Sequence, residues 1–165
     1  MRNQKVVDAL NRQVGEEFYA AYLYLAMMAY FERSSLPGFA HWMRLQAQEE
    51  VGHAMRLVDF ILERGGRVEL GPIDKPPSEF DSPLSVMREA LEHERGVTEQ
   101  IHELYEVALE QKDYPAQVLL QWFITEQVEE EKSAGDLVDR LELAGDSGSA
   151  LLVLDEKLGA RTAGG

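Results

Sequence analysis

Glu50 and His53 stand three residues apart in the stretch Gln46-Ala47-Gln48-Glu49-Glu50-Val51-Gly52-His53, whose apolar neighbours Phe39, Trp42, Met43, Leu57 and Ile61 recur at helical spacing. Carried through the middle, that stripe lands on Gln46, Glu50 and His53, where a core would take leucine. Gln127 and Glu130 repeat the interval and, with Glu126, interrupt the stripe Leu119, Phe123, Ala134, Leu137, Leu141. Glu17 interrupts Val7, Leu10, Val14, Ala21, Tyr24, Met28, Phe31, and Glu94 interrupts Leu84, Met87, Leu91, Thr98, Ile101, Tyr105, Ala108. Residues three apart share a helix face. Four helices therefore send four carboxylates, one imidazole and one amide towards a common centre.

Burying a bare carboxylate costs several kcal/mol even after relaxation, and four together repel one another. Buried ion pairs are the ordinary remedy. Here no Lys or Arg occurs between Gln13 and Glu32 or between Asp113 and Glu131, and Arg44, Arg56, Arg88 and Arg95 fall off the stripes or far from their midpoints. Protonation is a second remedy, but a cluster of neutral acids has no stabilising purpose. Four negative charges match two divalent cations. Oxygen-rich ligation with an imidazole suits iron or manganese, and zinc less well; calcium rarely recruits histidine. A two-metal carboxylate site can activate oxygen or clamp a hydrolytic water. Nothing in the sequence marks an organic substrate pocket, so redox chemistry on the metal itself is the expectation.

Composition agrees. Thirty acidic residues against 16 basic give a net charge of −14, which disfavours nucleic acid or an anionic membrane as partner and favours cations. The absence of cysteine rules out disulfides and thiolate-ligated metals and suits a cytoplasmic location. The N-terminal Met1-Arg2-Asn3-Gln4-Lys5 leads into an amphipathic pattern without a signal-type apolar region. The longest apolar run, Phe18 to Phe31, falls short of the roughly 20 residues a bilayer span needs. It is apolar on every side, so its outward face, with Tyr19, Tyr22 and Tyr30 as candidates, is expected to meet another subunit.

The elements that must position these residues read as an all-α, single domain spanning 1–165. A first helix runs from about Asn3 to Glu32. A second opens at Pro37, with Ser35 as cap, and ends at Arg64 before Gly65-Gly66. A third follows Ser82-Pro83 and reaches about Lys112. A fourth opens at Pro115, with Asp113 or Tyr114 leading into it, and stops before Gly145. Residues 146–165 hold a short fifth helix, Ala150 to Leu158, and a tail from Gly159 expected to be flexible. Short turns near 35 and 113 make antiparallel pairs. The connection 66–81 is long for a compact domain but spans roughly 50 Å when extended, enough to return along the whole bundle. The result is a four-helix bundle with one long crossover between helices two and three.

Glu17, Glu50-x-x-His53, Glu94 and Gln127-x-x-Glu130 resemble the ferroxidase centre of the bacterial non-haem ferritins, within the ferritin-like di-iron family. The likeness extends to Tyr114-Pro115, Leu120-Gln121-Trp122-Phe123 and the fifth helix. It implies an iron-storage protein that oxidises Fe(II) to Fe(III) with O2 or H2O2 as electron acceptor. Glu17, Glu50 and His53 would hold one iron and Glu50, Glu94 and Glu130 the other, with Gln127 alongside. The ferric product would hydrolyse and collect as a mineral inside a homo-oligomeric shell, by resemblance a 24-mer whose fifth helices gather at fourfold axes. The resemblance also implies a third iron site at Glu49, Glu126 and Glu129, sharing Glu130; spacing alone fits a solvated acidic face equally. Tyr24, one heptad beyond Glu17, would bond a ligand carboxylate or donate an electron.

Two related readings differ by particular residues. A haem-binding bacterioferritin would carry a methionine just after the helix-two glutamate, where Val51 and Gly52 stand, although Met55 is near. A rubrerythrin-like peroxidase would usually carry a cysteine-ligated iron domain. Trp122, Met27 and Met28 read as packing, the run to Glu131 as plain surface, and His41, His93 and His102 as exposed.

Overall fold

The computed structural model describes residues 3–164; Met1, Arg2 and Gly165, at the two ends of the sequence reading, lie outside the described residues. Five helices follow in order: α1 (Gln4–Arg33), α2 (Pro37–Glu63), α3 (Pro83–Glu110), α4 (Tyr114–Ala144) and α5 (Gly148–Gly159). Among the described residues no helix is long and apolar enough to cross a membrane.

Local chemistry sets most of these boundaries. Ser82 and Ser85 bond reciprocally as a capping box with Pro83 at the first position of α3, satisfying donors a helix start leaves orphaned. The Asp113 carboxylate accepts from Ala116 N at 3.2 Å to open α4 and also takes the Arg64 guanidinium, tying the end of α2 to this turn. Gly65 adopts φ +69° after α2, the left-handed stop that glycine takes without cost. The residue opening α2 is Leu36 rather than Ser35, and it offers no side-chain cap. Ser35 instead takes φ +58° in the turn.

The missing cap comes from the far end of the chain. Asp155 of α5 accepts a hydrogen bond from Phe39 N at 2.9 Å, a carboxylate placed where the helix dipole favours negative charge. Gly38 makes this approach possible, since a Cβ there would stand 1.7 Å from the Asp155 carbonyl oxygen. Leu154 and Leu158 complete the docking by joining the bundle core. The tail departs from the expected flexibility at Arg161. Its guanidinium lies over the Trp42 ring at 4.9 Å and donates to the Trp42 carbonyl at 3.3 Å and to Glu49 Oε1 at 3.0 Å.

Two apolar clusters show how the helices run. One joins the second half of α1 and first half of α2 with the first half of α3 and second half of α4, through Phe31, Phe39, Met43, Met87 and Leu141. The other joins the opposite halves, through Leu10, Leu57, Ile61, Ile101, Leu120 and Phe123. Helices α1 and α2 are therefore antiparallel, α3 and α4 likewise, and α2 and α3 parallel, as the crossover requires. The outward face of α1 is mixed in exposure, with Tyr19 and Tyr30 partly buried. Tyr22 and Leu25 are exposed, whereas Tyr19 rests on His93, and Tyr30 on Phe31 and Phe80, of the same chain.

Candidate metal centre

Between the two apolar clusters lies a polar layer. Glu17, Glu50, His53, Glu94, Gln127 and Glu130 are all buried there, together with Gln13 and Gln46. Ligand-capable atoms of Glu17, Glu50 and His53 fall within 4.8 Å of one another, and so do those of Glu50, Glu94 and Glu130. Glu50 belongs to both groups. A third group of the same dimensions joins His53, Glu126 and Glu130.

Each carboxylate is held from behind. Gln13 donates to Glu17 Oε1 at 2.9 Å, and Gln46 to Glu130 Oε2 at 2.9 Å. Gln127 donates to Glu94 Oε2 at 3.0 Å, and the Tyr24 hydroxyl donates to Glu94 Oε1. His53 Nδ1 lies 3.2 Å from Glu50 Oε2 and 3.7 Å from Glu17 Oε2. Two oxygens, Glu17 Oε2 and Glu50 Oε1, are buried without a hydrogen-bond partner. Among the described residues no Lys or Arg forms an ion pair with any of the four acids. Orphaned, pre-positioned carboxyl oxygens around a shared glutamate fit divalent cations.

Protons shift accordingly. Burial drives Glu50 well above the usual carboxylate range, with the charges of Glu17 and Glu94 adding to it against the pull of His53. Burial likewise raises Glu94, and it raises Glu130 to about 7 with help from the Glu94 charge. Burial opposes charge on His53, but bonds to Glu17 and Glu50 outweigh it and raise the imidazole to about 11. Burial also opposes charge on Glu17, yet its bonds to His53, Glu50 and Gln13 leave that acid lowered. Burial thus favours the protonated form of Glu50, Glu94 and Glu130. Divalent cations displace such protons on binding.

The surrounding residues are less uniform. Glu126 is partly exposed, with Oε1 3.9 Å from His53 Nε2, and Glu129 is exposed. Glu49 is partly exposed and bonded to Arg161. Trp122 stands edge-on to His53 at 5.5 Å and carries the Arg56 guanidinium on its face at 4.0 Å. Glu131 is not plain surface, since it accepts from Thr98 Oγ1 at 2.9 Å. His102 is exposed, but His41 donates to the Arg161 carbonyl at 2.7 Å, and His93 buries an unpartnered Nε2 beside Tyr19 and Tyr24. Sequence reasoning passed over Gln13, although it lies four residues before Glu17 on one face. It also gave Gln46 a place without a task.

A bundle with one long crossover, enclosing acids at mid-length on all four helices, defines a ferritin-like protein. The family model for the ferritin-like domain matches residues 7–144, and the chain belongs to that family. It is 42% identical over 161 residues to a bacterial non-heme ferritin of Bacteroides fragilis, covering 98% of this chain and 100% of the relative. Identity to a Staphylococcus aureus bacterial non-heme ferritin is 36% over 162 residues, 98% of each chain. Among solved structures, an open-pore ferritin from the archaeon Archaeoglobus fulgidus is 51% identical, with a TM-score of 0.97 over 98% of this chain and 100% of that one.

Proposed function

We propose that this protein is a cytoplasmic, haem-free iron-storage ferritin whose subunits form a multi-subunit shell, by family likeness a 24-mer. Each subunit oxidises Fe(II) to Fe(III) at its buried carboxylate centre, and the product is kept as a ferric mineral inside. The observation that carries the reading is the pair of ligand groups sharing Glu50, with two orphaned oxygens and, among the described residues, no Lys or Arg paired with the acids. Iron is the substrate here: it arrives as Fe(II), binds and leaves oxidised.

The residues divide the work. Glu17, Glu50 and His53 serve one ferrous ion and Glu50, Glu94 and Glu130 the other. Gln13, Gln46 and Gln127 fix one oxygen of their carboxylates so that the rest face inward, an arrangement that limits reorganisation during reaction. The Tyr24 hydroxyl holds Glu94 and stands ready as an electron donor. O2 or H2O2 accepts the electrons; with O2 taken to H2O2, two ferrous ions supply two electrons and water the two protons. The ferric ions are more acidic and hydrolyse, which drives them into mineral. Glu49, Glu126 and Glu129, with Glu130, form a third and weaker cation site beside the centre.

Ferrous oxidation and particle mass, measured together, test the reading. A large particle that oxidises and retains iron is expected. Glu50→Ala should slow the first turnover far more than Glu129→Ala, because a shared ligand serves both ions. Equal first-turnover rates in wild type and Glu50→Ala would sink the assignment.

A further inference from the structure

Glu49 is bonded directly to an arginine of the chain itself. Arg161 reaches it from beyond α5, with its side chain only 12% exposed and Glu49 at 30%. The guanidinium is anchored on three sides, by the Trp42 ring, the Trp42 carbonyl and Glu49 Oε1. Its own backbone is fixed too. Arg161 N donates to the Leu158 carbonyl at 3.2 Å, and its carbonyl accepts from His41. Behind it, the Asp155 cap and the Gly38 contact bind α5 to the start of α2. An arginine restrained in this way presents its charge at a fixed place rather than sampling solvent.

Glu49 directly precedes Glu50 in α2, beside the centre. The other nearby cations are Arg56, on the face of Trp122, and His53, held chiefly by Glu17 and Glu50. Arg161 is therefore the positive group that a metal ion arriving at Glu49 must share the carboxylate with.

Resting on the third-site reading above, we propose that Arg161 is the built-in counter-ion of that site. By holding Glu49 Oε1 it keeps the site weak, and the segment after α5 thereby sets how readily a third cation binds. A fixed unit charge near an incoming divalent ion lowers its affinity by roughly tenfold through repulsion in a half-exposed setting. The helix that closes the chain and the metal-binding acids are then linked through one side chain.

Titration of the assembled, metal-free protein with Zn(II) alone, followed calorimetrically, tests this. Wild type should show two tight events per chain and a weaker third that Glu49→Gln removes. Arg161→Gln should tighten the third event about tenfold, while Arg161→Lys, which keeps the charge, stays near wild type. Arg88→Gln, which removes a distant surface charge, should leave the event unchanged. The proposal is overturned if Arg161→Gln leaves the Glu49-dependent event unchanged or weakens it, or if neither protein shows one. It is equally overturned if Arg161→Lys matches Arg161→Gln, which would make the role packing, or if Arg88→Gln tightens the event as much. Loss of the two tight events in wild type would count against the storage reading instead, and the Glu49-dependent event is compared either way.

Discussion

The bundle core is two materials in one. At either end, aromatic and aliphatic side chains close over one another, as where Phe31 stacks on Phe39 with ring centroids 4.9 Å apart. Between those ends, at the same depth, four acids hold each other in place through amides, an imidazole and a phenol, with two oxygens left unpartnered. The ends carry stability that the middle draws on. A layer of buried acids survives because the packed clusters on both sides over-determine the backbone that carries it.

The largest expected effect tests the ends. Phe39→Ala removes a fully buried ring from the cluster that also seats α5, and should cost roughly 3–5 kcal/mol. Denaturant unfolding of the metal-free protein at fixed subunit concentration measures it. A loss under about 1 kcal/mol would mean that this end does not carry the layer.

The middle should respond in the opposite sense. Replacing a buried acid by an apolar residue of similar size relieves desolvation and repulsion, so Glu50→Leu, which leaves His53 with Glu17 as partner, should stabilise the metal-free protein while abolishing tight cation binding. The same unfolding experiment, run with and without Zn(II), reads both halves. Destabilisation by Glu50→Leu would show that the acid layer contributes to the fold rather than drawing on it.

Protonation sharpens the contrast further. Glu130 sits at about 7 when folded, against an ordinary 4.5. The folded state then holds more protons between those values, so stability falls as pH rises from about 4.5 through 7. His53, raised from 6.5 to about 11, contributes stability that is full below 6.5 and lost as pH rises through 11. Glu17, lowered, acts oppositely and only on the acid side. The metal-free protein should therefore melt at lower temperature at about pH 9 than at about pH 5. Zn(II), which displaces these protons, should add more at the higher pH. Calorimetry checks both, and Glu130→Gln should flatten the slope between about pH 4.5 and 7.

How much of this could be read from the sequence follows from the same division. The apolar ends announce themselves through helical spacing, and the acids stand out as interruptions of it, so the bundle, the crossover and the six central residues were legible. Contacts between distant residues were not. Nothing local links Asp155 to the start of α2 or Arg161 to Glu49, since α5 and α2 are far apart in the chain. Caps are normally local, so Ser35 suits the role in sequence while the actual carboxylate comes from Asp155. Terminal segments usually lack partners, so the tail reads as flexible. His93 has no partner at helical spacing and reads as surface, while its neighbours Tyr19 and Tyr24 come from another helix.

The smallest effect concerns Gln46, a residue on the boundary between the two materials. Its amide donates to Glu130 Oε2 at 2.9 Å, and that bond holds Glu130 down against burial and the Glu94 charge. Gln46→Leu keeps the volume and removes the donor, so the metal-free protein should change by only about 1 kcal/mol. Glu130 should then titrate higher, moving the pH-dependent loss of stability upward. Zn(II) binding at neutral pH should weaken several-fold because more protons must be displaced. The pairing of a small stability change with a displaced pH profile is the signature of an amide that positions a ligand. A stability loss with the profile unmoved would place Gln46 among the packing residues of the ends instead.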